Sequence, residues 1–80
     1  MRINLEKQPQ KYLACVDEKT RKKLYKALDN ISQLKGDIVR VAGKNCYRYK
    51  IAHYRILFRR EKDELVITVI EINTRTNIKY

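Results

Sequence analysis

The chain has 80 residues, with 19 Lys and Arg against 9 Asp and Glu, which gives a formal net charge of +10 at pH 7. A chain of this length forms one small domain, here expected over residues 1–80, and buries only about 60–65% of its unfolded surface. No segment approaches the roughly 20 apolar residues of a membrane-spanning helix, and MRINLEKQPQ lacks the apolar stretch of a signal peptide. These features predict a cytoplasmic protein with an anionic partner.

Metal and cofactor chemistry has little support in the sequence. Cys15 and Cys46 lack Cys-x-x-Cys spacing, and His53 is the single histidine. A structural zinc site needs a full set of such ligands at characteristic spacings. The sequence therefore predicts neither a metal nor a cofactor.

The first residues predict a short strand and a helix. Ile3 and Leu5 alternate with polar neighbours in RINLE (residues 2–6), as in a half-buried strand. Pro9 suits the first turn of a helix that continues to about Val16, because proline is tolerated where the backbone N–H has no helical partner.

A second helix is predicted after Asp17, which can cap it, and Gly36 lies where it should end. The basic run Lys19–Lys23 falls on its polar side, either as a solvated face or as a secondary nucleic-acid contact. Its apolar positions follow one buried stripe: Leu24, Ala27, Leu28, Ile31 and Leu34.

The second half of the chain predicts strands. Residues 38–42 suit a weak strand or an extended loop, and stronger strands follow at about 46–51, 54–60 and 65–73. LVITVI is apolar on both faces, so the last strand should be interior. The element order predicts an α+β fold of βααβββ type, a small antiparallel sheet packed against two N-terminal helices.

The segment YRYKIAHYRILFRR (residues 47–60) concentrates basic side chains among aromatic and aliphatic ones. If Ala52 and His53 form the turn of a hairpin, one face is wholly apolar or aromatic. The cross-strand pairs on that face are then Tyr47 with Phe58, Tyr49 with Ile56, and Ile51 with Tyr54.

The opposite face of the same hairpin pairs Lys50 with Arg55 and Arg48 with Leu57, and Arg59 continues the row. Like charges directly across a ladder are destabilising, so an external anion should complete the cluster. Phosphate suits it, because arginine can bind phosphate bidentately. An ordinary solvated face, with long basic side chains covering apolar surface, is the alternative.

Four local patterns occur in an order typical of one family: LKGD (34–37), YRYK (47–50), HYRILF (53–58), and INTR (72–75) followed by Tyr80. With these patterns the chain resembles the RelE/ParE superfamily of bacterial toxins from type II toxin–antitoxin modules, over nearly its whole length. The resemblance is greatest to the ribosome-dependent messenger RNA endonucleases of that superfamily.

That resemblance implies a metal-independent endoribonuclease that cuts mRNA in the ribosomal A site by attack of the RNA's own 2′-hydroxyl. Arg55 and Arg75 would grip the phosphate, Tyr80 or Lys50 would accept the proton, and Arg48 or Arg75 would stabilise the leaving oxygen. The catalytic set implied is Lys50, Arg55, Arg75 and Tyr80, and the RNA-binding set is Arg48, Lys50, Arg59 and Lys79.

The sequence departs from many relatives at three positions. Ala52 stands where they have a turn Gly, and Thr74 stands where they have His before the late Arg. Tyr80 is the last residue of the sequence, so a carboxylate is expected beside it. His53 is a weaker candidate base, because the predicted register turns it away from the basic face of the hairpin.

The implied partners are an acidic, neutralising antitoxin, the ribosome and mRNA, with no membrane. The chain is expected as a free monomer or in a toxin–antitoxin hetero-oligomer. Two alternatives stay open: a ParE-like inhibitor of DNA gyrase, and a catalytically silent module that binds nucleic acid or a protein partner.

Overall fold

A computed structural model describes residues 1–61 and 65–80 of the chain. Its elements in chain order are β1 (Arg2–Leu5), α1 (Lys7–Cys15), α2 (Glu18–Ser32), β2 (Ile38–Arg40), β3 (Tyr47–Ile51), β4 (Tyr54–Glu61) and β5 (Val66–Thr74). The strands form one five-stranded sheet in the order β1-β5-β4-β3-β2. The α+β class is confirmed, and so is the interior position of β5.

The sheet is mixed, which corrects the expectation of a purely antiparallel one. β1 pairs with β5 in parallel, with Ile3 opposite Ile67, while the other three pairings are antiparallel. The weak segment at 38–42 contributes the short edge strand β2. Because β1 is followed by helices and not by a hairpin, nothing local in the sequence fixes its partner or its direction.

The two helices differ at their N-termini: the Glu6 side chain makes no capping hydrogen bond to α1, whereas α2 has a side-chain cap. Asp17 caps α2 by accepting a hydrogen bond from the Thr20 backbone N–H at 3.3 Å. Hydrogen bonding to Thr20 also holds the pKa of the Asp17 carboxyl below its ordinary value. The predicted buried stripe is wrong at Leu34, which is 42% exposed. Because α2 ends at Ser32, Leu34 lies beyond it, in a turn with φ 56°.

Arg21 joins the two helices through backbone carbonyls that α1 leaves without helical partners. Its guanidinium donates to the carbonyl oxygens of Leu13 at 2.7 Å and Val16 at 2.9 Å, and its Nη1 lies 2.7 Å from the Glu18 carboxylate. The last carbonyls of a helix have no intrahelical donor, so a side chain that reaches them removes a cost of burial.

The core lies between the helices and one face of the sheet. Its fully buried side chains come from α2 and from the strands β4 and β5: Leu24, Ile31, Ile56, Phe58, Ile67, Val69 and Ile72. Val69 and Ile72 both point into this core although three positions separate them, and a strand without a bulge would put them on opposite faces. A β-bulge resolves the conflict: Phe58 pairs with Val69 and Leu57 with Glu71, which leaves Ile70 as the extra residue.

Gln8 closes the edge of β5 where β1 has ended. Its side-chain Nε2 donates to the Ile72 carbonyl oxygen at 2.8 Å, and its Oε1 accepts from the Ile72 N–H at 2.9 Å. The side-chain amide thus replaces a missing strand. Within the described residues, no helix is both long and apolar enough to cross a membrane.

Candidate nucleic-acid interface

The sheet face that the helices leave uncovered, called the open face below, carries the basic side chains of the β3–β4 hairpin. The register predicted from the sequence is confirmed at every pair, including Lys50 with Arg55 and Arg48 with Leu57. On the opposite, helix-covered face, the rings of Tyr47 and Phe58 stack with centroids 5.6 Å apart. Since side chains alternate along a strand, the cations lie together on the open face.

Arg55 is less exposed than the sequence suggested, at 9%. Its Nη1 donates to the carbonyl oxygens of Tyr54 at 2.8 Å and Ala52 at 3.1 Å. Its other guanidinium nitrogens bond no described residue, and no side-chain nitrogen of the described chain is buried without a partner. One edge of the Arg55 guanidinium therefore stabilises the hairpin turn, and its remaining N–H donors are available to an anion.

The hairpin turn is tight and contains a strained residue. Ala52 has φ 50°, in the left-handed region that glycine adopts without a steric cost. The ring of His53 lies 4.5 Å from that of Tyr54, tilted by 34°. Tyr54 packs against the core, so His53 contacts the helix-covered side of the turn.

The end of β5 returns Arg75 to this turn. The Arg75 backbone N–H donates to the His53 carbonyl oxygen at 2.8 Å, and Asn73 lies directly opposite Arg55. Arg75 is exposed. The Arg75 backbone is thereby brought to the hairpin turn that the Arg55 guanidinium also contacts, although the two residues are twenty positions apart in the chain.

Residues 75–80 then fold back over the sheet. The backbone N–H groups of Asn77 and Ile78 bond the Thr74 carbonyl oxygen at 3.1 and 3.0 Å, and the Lys79 N–H reaches the Glu71 carboxylate at 3.4 Å. Tyr80 follows, with 46% of its surface exposed. The structure thus brings the Lys79 backbone to the side of the sheet that holds the basic hairpin, and Tyr80 is the next residue.

Arg59 continues the basic row toward β1, but it is not the uncompensated cation that the sequence suggested. Its guanidinium is 2.9 Å from the Glu61 carboxylate and 3.6 Å from that of Glu6. The hydrogen bond to Glu61 raises the pKa of the Arg59 guanidinium above its ordinary value. Its role in RNA binding stays a prediction, with two carboxylates already in contact.

The other cations of the open face differ from Arg59 in their ion pairing. In the part of the chain that the structure describes, ion pairs involve Arg21 and Arg59 and none of the other basic residues. Among the described residues, four cations of the β3–β4 hairpin and the end of β5 therefore have no carboxylate partner, and we call them the cationic cluster: Arg48, Lys50, Arg55 and Arg75. Directly opposite residues such as Lys50 and Arg55 have Cβ atoms about 4.5–5.5 Å apart, so their repulsion favours an external anion.

Glu71 is a residue of this face that sequence reasoning missed. It is the cross-strand partner of Leu57, next to the row that holds Arg48. The bulge at Ile70 puts Glu71 on this face, and no local sequence pattern predicts that bulge. Among residues 1–61 and 65–80, no three His, Cys, Asp or Glu side chains come close enough to hold a metal ion.

The fold and the cationic cluster define a class of small basic α+β protein with basic side chains on the open face of its sheet. The family model for the ParE toxin of type II toxin–antitoxin systems, parDE, matches residues 4–78. The chain belongs to this family, and hence to the RelE/ParE superfamily: it is the toxin of a type II toxin–antitoxin module. The comparison with curated proteins gives no match.

Solved structures share the fold at low sequence identity. The intact Escherichia coli RelBE toxin–antitoxin complex contains a chain with a TM-score of 0.78 and 18% identity, covering 91% of this chain and 94% of that one. The isolated E. coli RelE toxin has a TM-score of 0.76 and 19% identity, covering 91% of this chain and 82% of that one. The archaeal RelE–RelB complex from Pyrococcus horikoshii contains a chain with a TM-score of 0.75 and 19% identity, covering 96% of this chain and 97% of that one.

Proposed function

We propose that this toxin is an endoribonuclease that cuts messenger RNA in the ribosomal A site and so inhibits translation. The observation that carries the proposal is the cationic cluster, whose side chains lack carboxylate partners in the described chain and belong either to the β3–β4 hairpin or to the residue bonded to its turn. A phosphodiester with developing negative charge is the ligand that such a cluster stabilises best. The fold shared with RelE structures supports the same conclusion.

The chemistry proceeds by internal attack. The 2′-oxygen of the RNA bonds to phosphorus as its proton leaves, the bond from phosphorus to the 5′-oxygen breaks, and that oxygen gains a proton. The products are a 2′,3′-cyclic phosphate and a free 5′-hydroxyl. The protein must supply a proton acceptor, cations around the phosphorus and a donor at the leaving oxygen.

The placement of the residues supports the following roles. Arg55, through its unbonded guanidinium edge, and Arg75, beside the turn, grip the phosphate oxygens. Lys50, in the same row as Arg55, or Tyr80 accepts the 2′-proton. Arg48 or Arg75 stabilises the leaving oxygen. The flanking RNA backbone is bound by the side chains assigned to binding: Arg48, Lys50, Arg59 and Lys79.

The antitoxin is proposed as the physiological partner in the cytoplasm. The E. coli RelBE structure is a toxin–antitoxin complex, and the P. horikoshii structure is a complex of RelE with RelB. An acidic antitoxin that covers the open face would neutralise the cationic cluster and exclude RNA. The toxin would then alternate between a free monomer and a toxin–antitoxin hetero-oligomer.

Inhibition of DNA gyrase is the second candidate, because the matching family model describes a ParE toxin. Gyrase inhibition requires protein binding and no cleavage of RNA. It gives no chemical reason for a cluster of unpaired cations converging on one turn. A third candidate, a silent binding module, predicts RNA binding without any new product.

The test is a bacterial translation extract with an end-labelled message, in which new 5′ ends are mapped by primer extension. Wild-type protein should cut within A-site codons only when ribosomes are present. Arg75→Ala and Lys50→Ala should slow cutting by about 100-fold each, the typical cost of removing one preorganised electrostatic group. These two variants are easier to interpret than Arg55→Ala, because the Arg55 side chain also stabilises the hairpin turn.

Arg60→Ala is the matched control, because Arg60 is an exposed base on β4 that lies opposite Ile67, away from the cationic cluster. It should cut at the wild-type rate. An intact message together with inhibited gyrase supercoiling would replace the proposal with gyrase inhibition. An intact message with retained RNA binding would point to the silent module.

A further inference from the structure

Glu71 reaches the open face because of the bulge in β5. Before the bulge, Ile67 and Val69 point into the core, so an unbulged strand would point residue 71 into the core as well. With Ile70 as the extra residue, Ile72 takes the core position and Glu71 becomes the partner of Leu57. Bulges commonly re-aim a side chain in this way.

The Glu71 carboxylate binds N–H groups and not the neighbouring cations. Both of its oxygens lie 3.4 Å from the Lys79 backbone nitrogen, and Oε2 also accepts from Asn73 Nδ2 at 3.4 Å. It forms no ion pair with any Lys or Arg of the described chain. Within the described chain, Glu71 therefore accepts hydrogen bonds from N–H groups and does not pair with the cationic cluster.

Residues 75–80 are consequently held at two points. The first is the bond from the Arg75 N–H to the His53 carbonyl, beside the turn. The second is Glu71, which holds the Lys79 N–H after the turn that closes on the Thr74 carbonyl. Without the second point, the chain beyond Ile78 has no hydrogen bond to the sheet among the described residues.

We propose that Glu71 is a positioning residue that holds residues 75–80 against the open face and so places Tyr80 at the cationic cluster. The functional part of this proposal rests on the proposed ribonuclease activity. Glu71 acts through the backbone of Lys79 and does not touch the RNA. What Glu71 supplies is a hydrogen-bond acceptor, which a glutamine at the same position also supplies.

The test compares Glu71→Gln with Glu71→Ala, and with Glu71→Val as a second acceptor-free variant that suits a strand. Amide hydrogen exchange of Lys79, measured by NMR, should be on the order of tenfold faster in the Ala and Val variants and near wild type in the Gln variant. Asp37→Asn, which removes an exposed charge elsewhere, should leave the Lys79 exchange rate unchanged.

Cleavage is then measured in single turnovers on programmed ribosomes. The Ala and Val variants should lose about tenfold in the saturated rate with unchanged apparent affinity, and Gln should restore the rate. Unchanged Lys79 exchange in the Ala and Val variants would overturn the proposal. A Gln variant with a protected Lys79 amide but no cleavage would also overturn it, because the carboxylate would then be the proton acceptor itself. If wild type cuts no RNA, the proposed function fails, while the exchange rates still decide whether Glu71 holds the segment.

Discussion

Replacing Gly36 by alanine should destabilise the protein strongly, because the position combines a backbone restriction with a steric one. Gly36 has φ +104°, and a Cβ built on it would lie 2.5 Å from Cε2 of Tyr49. The Tyr49 ring cannot move easily, since it is 5% exposed and its hydroxyl accepts a hydrogen bond from Asn30 Nδ2 at 3.2 Å. Tyr49 also lies between Arg48 and Lys50 on β3, so its displacement would disturb the cationic cluster.

The magnitude follows from two contributions. A positive φ costs an L-residue about 1–2 kcal/mol, of which about 0.4–1 kcal/mol is offset because alanine restricts the unfolded chain. Displacing a well-packed ring adds about 1–3 kcal/mol. We therefore expect Gly36→Ala to lower the free energy of unfolding by about 3 kcal/mol, a large fraction of the stability of a small domain.

Gly43 supplies the matched control. It has φ +74° but no atom within 4 Å of its built Cβ, so Gly43→Ala carries the backbone cost alone, about 0.5–1 kcal/mol. Both variants are compared by urea unfolding followed by circular dichroism. In a Tyr49→Leu background, which removes the ring, the Gly36→Ala loss should fall toward that of Gly43→Ala. Equal losses for the two glycine variants in the wild-type background would refute the steric argument.

Three further predictions concern the turn, the sheet edge and the helix cap. Ala52→Gly should raise the free energy of unfolding by about 0.5 kcal/mol and Tm by about 2–4 °C, because it relieves the positive φ; an unchanged or lower Tm would contradict this. Gln8→Met should cost about 2–3 kcal/mol, because the Ile72 N–H and carbonyl lose their partners, and a loss no larger than that of the exposed Gln10→Met would argue against it. Asp17 has a lowered folded-state pKa, so its contribution is present above its unfolded pKa and lost as pH falls through the folded one. The stability of wild type relative to Asp17→Asn should therefore decrease between about pH 5 and about pH 2 in urea titrations, and a constant difference would rule out the linkage.

The cationic cluster disfavours folding through the repulsion of like charges, but the same charges favour the binding of an anion. Lys50 and Arg55 face each other across the hairpin, and the described chain offers neither of them a carboxylate. The one acid brought to the middle of this face, Glu71, is engaged by backbone and side-chain N–H groups. Under the proposed function, RNA or an acidic antitoxin supplies the missing negative charge, so binding of either should weaken steeply with salt.

The periodic features of this protein were predictable from the sequence. The pattern of α2 predicted which residues of that helix are buried, apart from Leu34, because a helical stripe is a local property of a few turns. The period of two in Tyr47–Phe58 predicted the hairpin register and the segregation of Arg48 and Lys50 from the aromatic residues. These predictions succeeded because neighbours in the sequence are also neighbours in the hairpin.

Tertiary structure alone decided the features that join distant segments. The parallel pairing of β1 with β5, the approach of Arg75 to His53 and the pairing of Arg59 with Glu6 all join residues whose separation leaves no periodic trace. The bulge at Ile70 arises because Val69 and Ile72 must both be buried in one core, and that requirement exists only once the helices are packed on the sheet. Glu71 faces the cationic cluster for that reason, so its place in the site follows from the packing of the core and not from the residues around it.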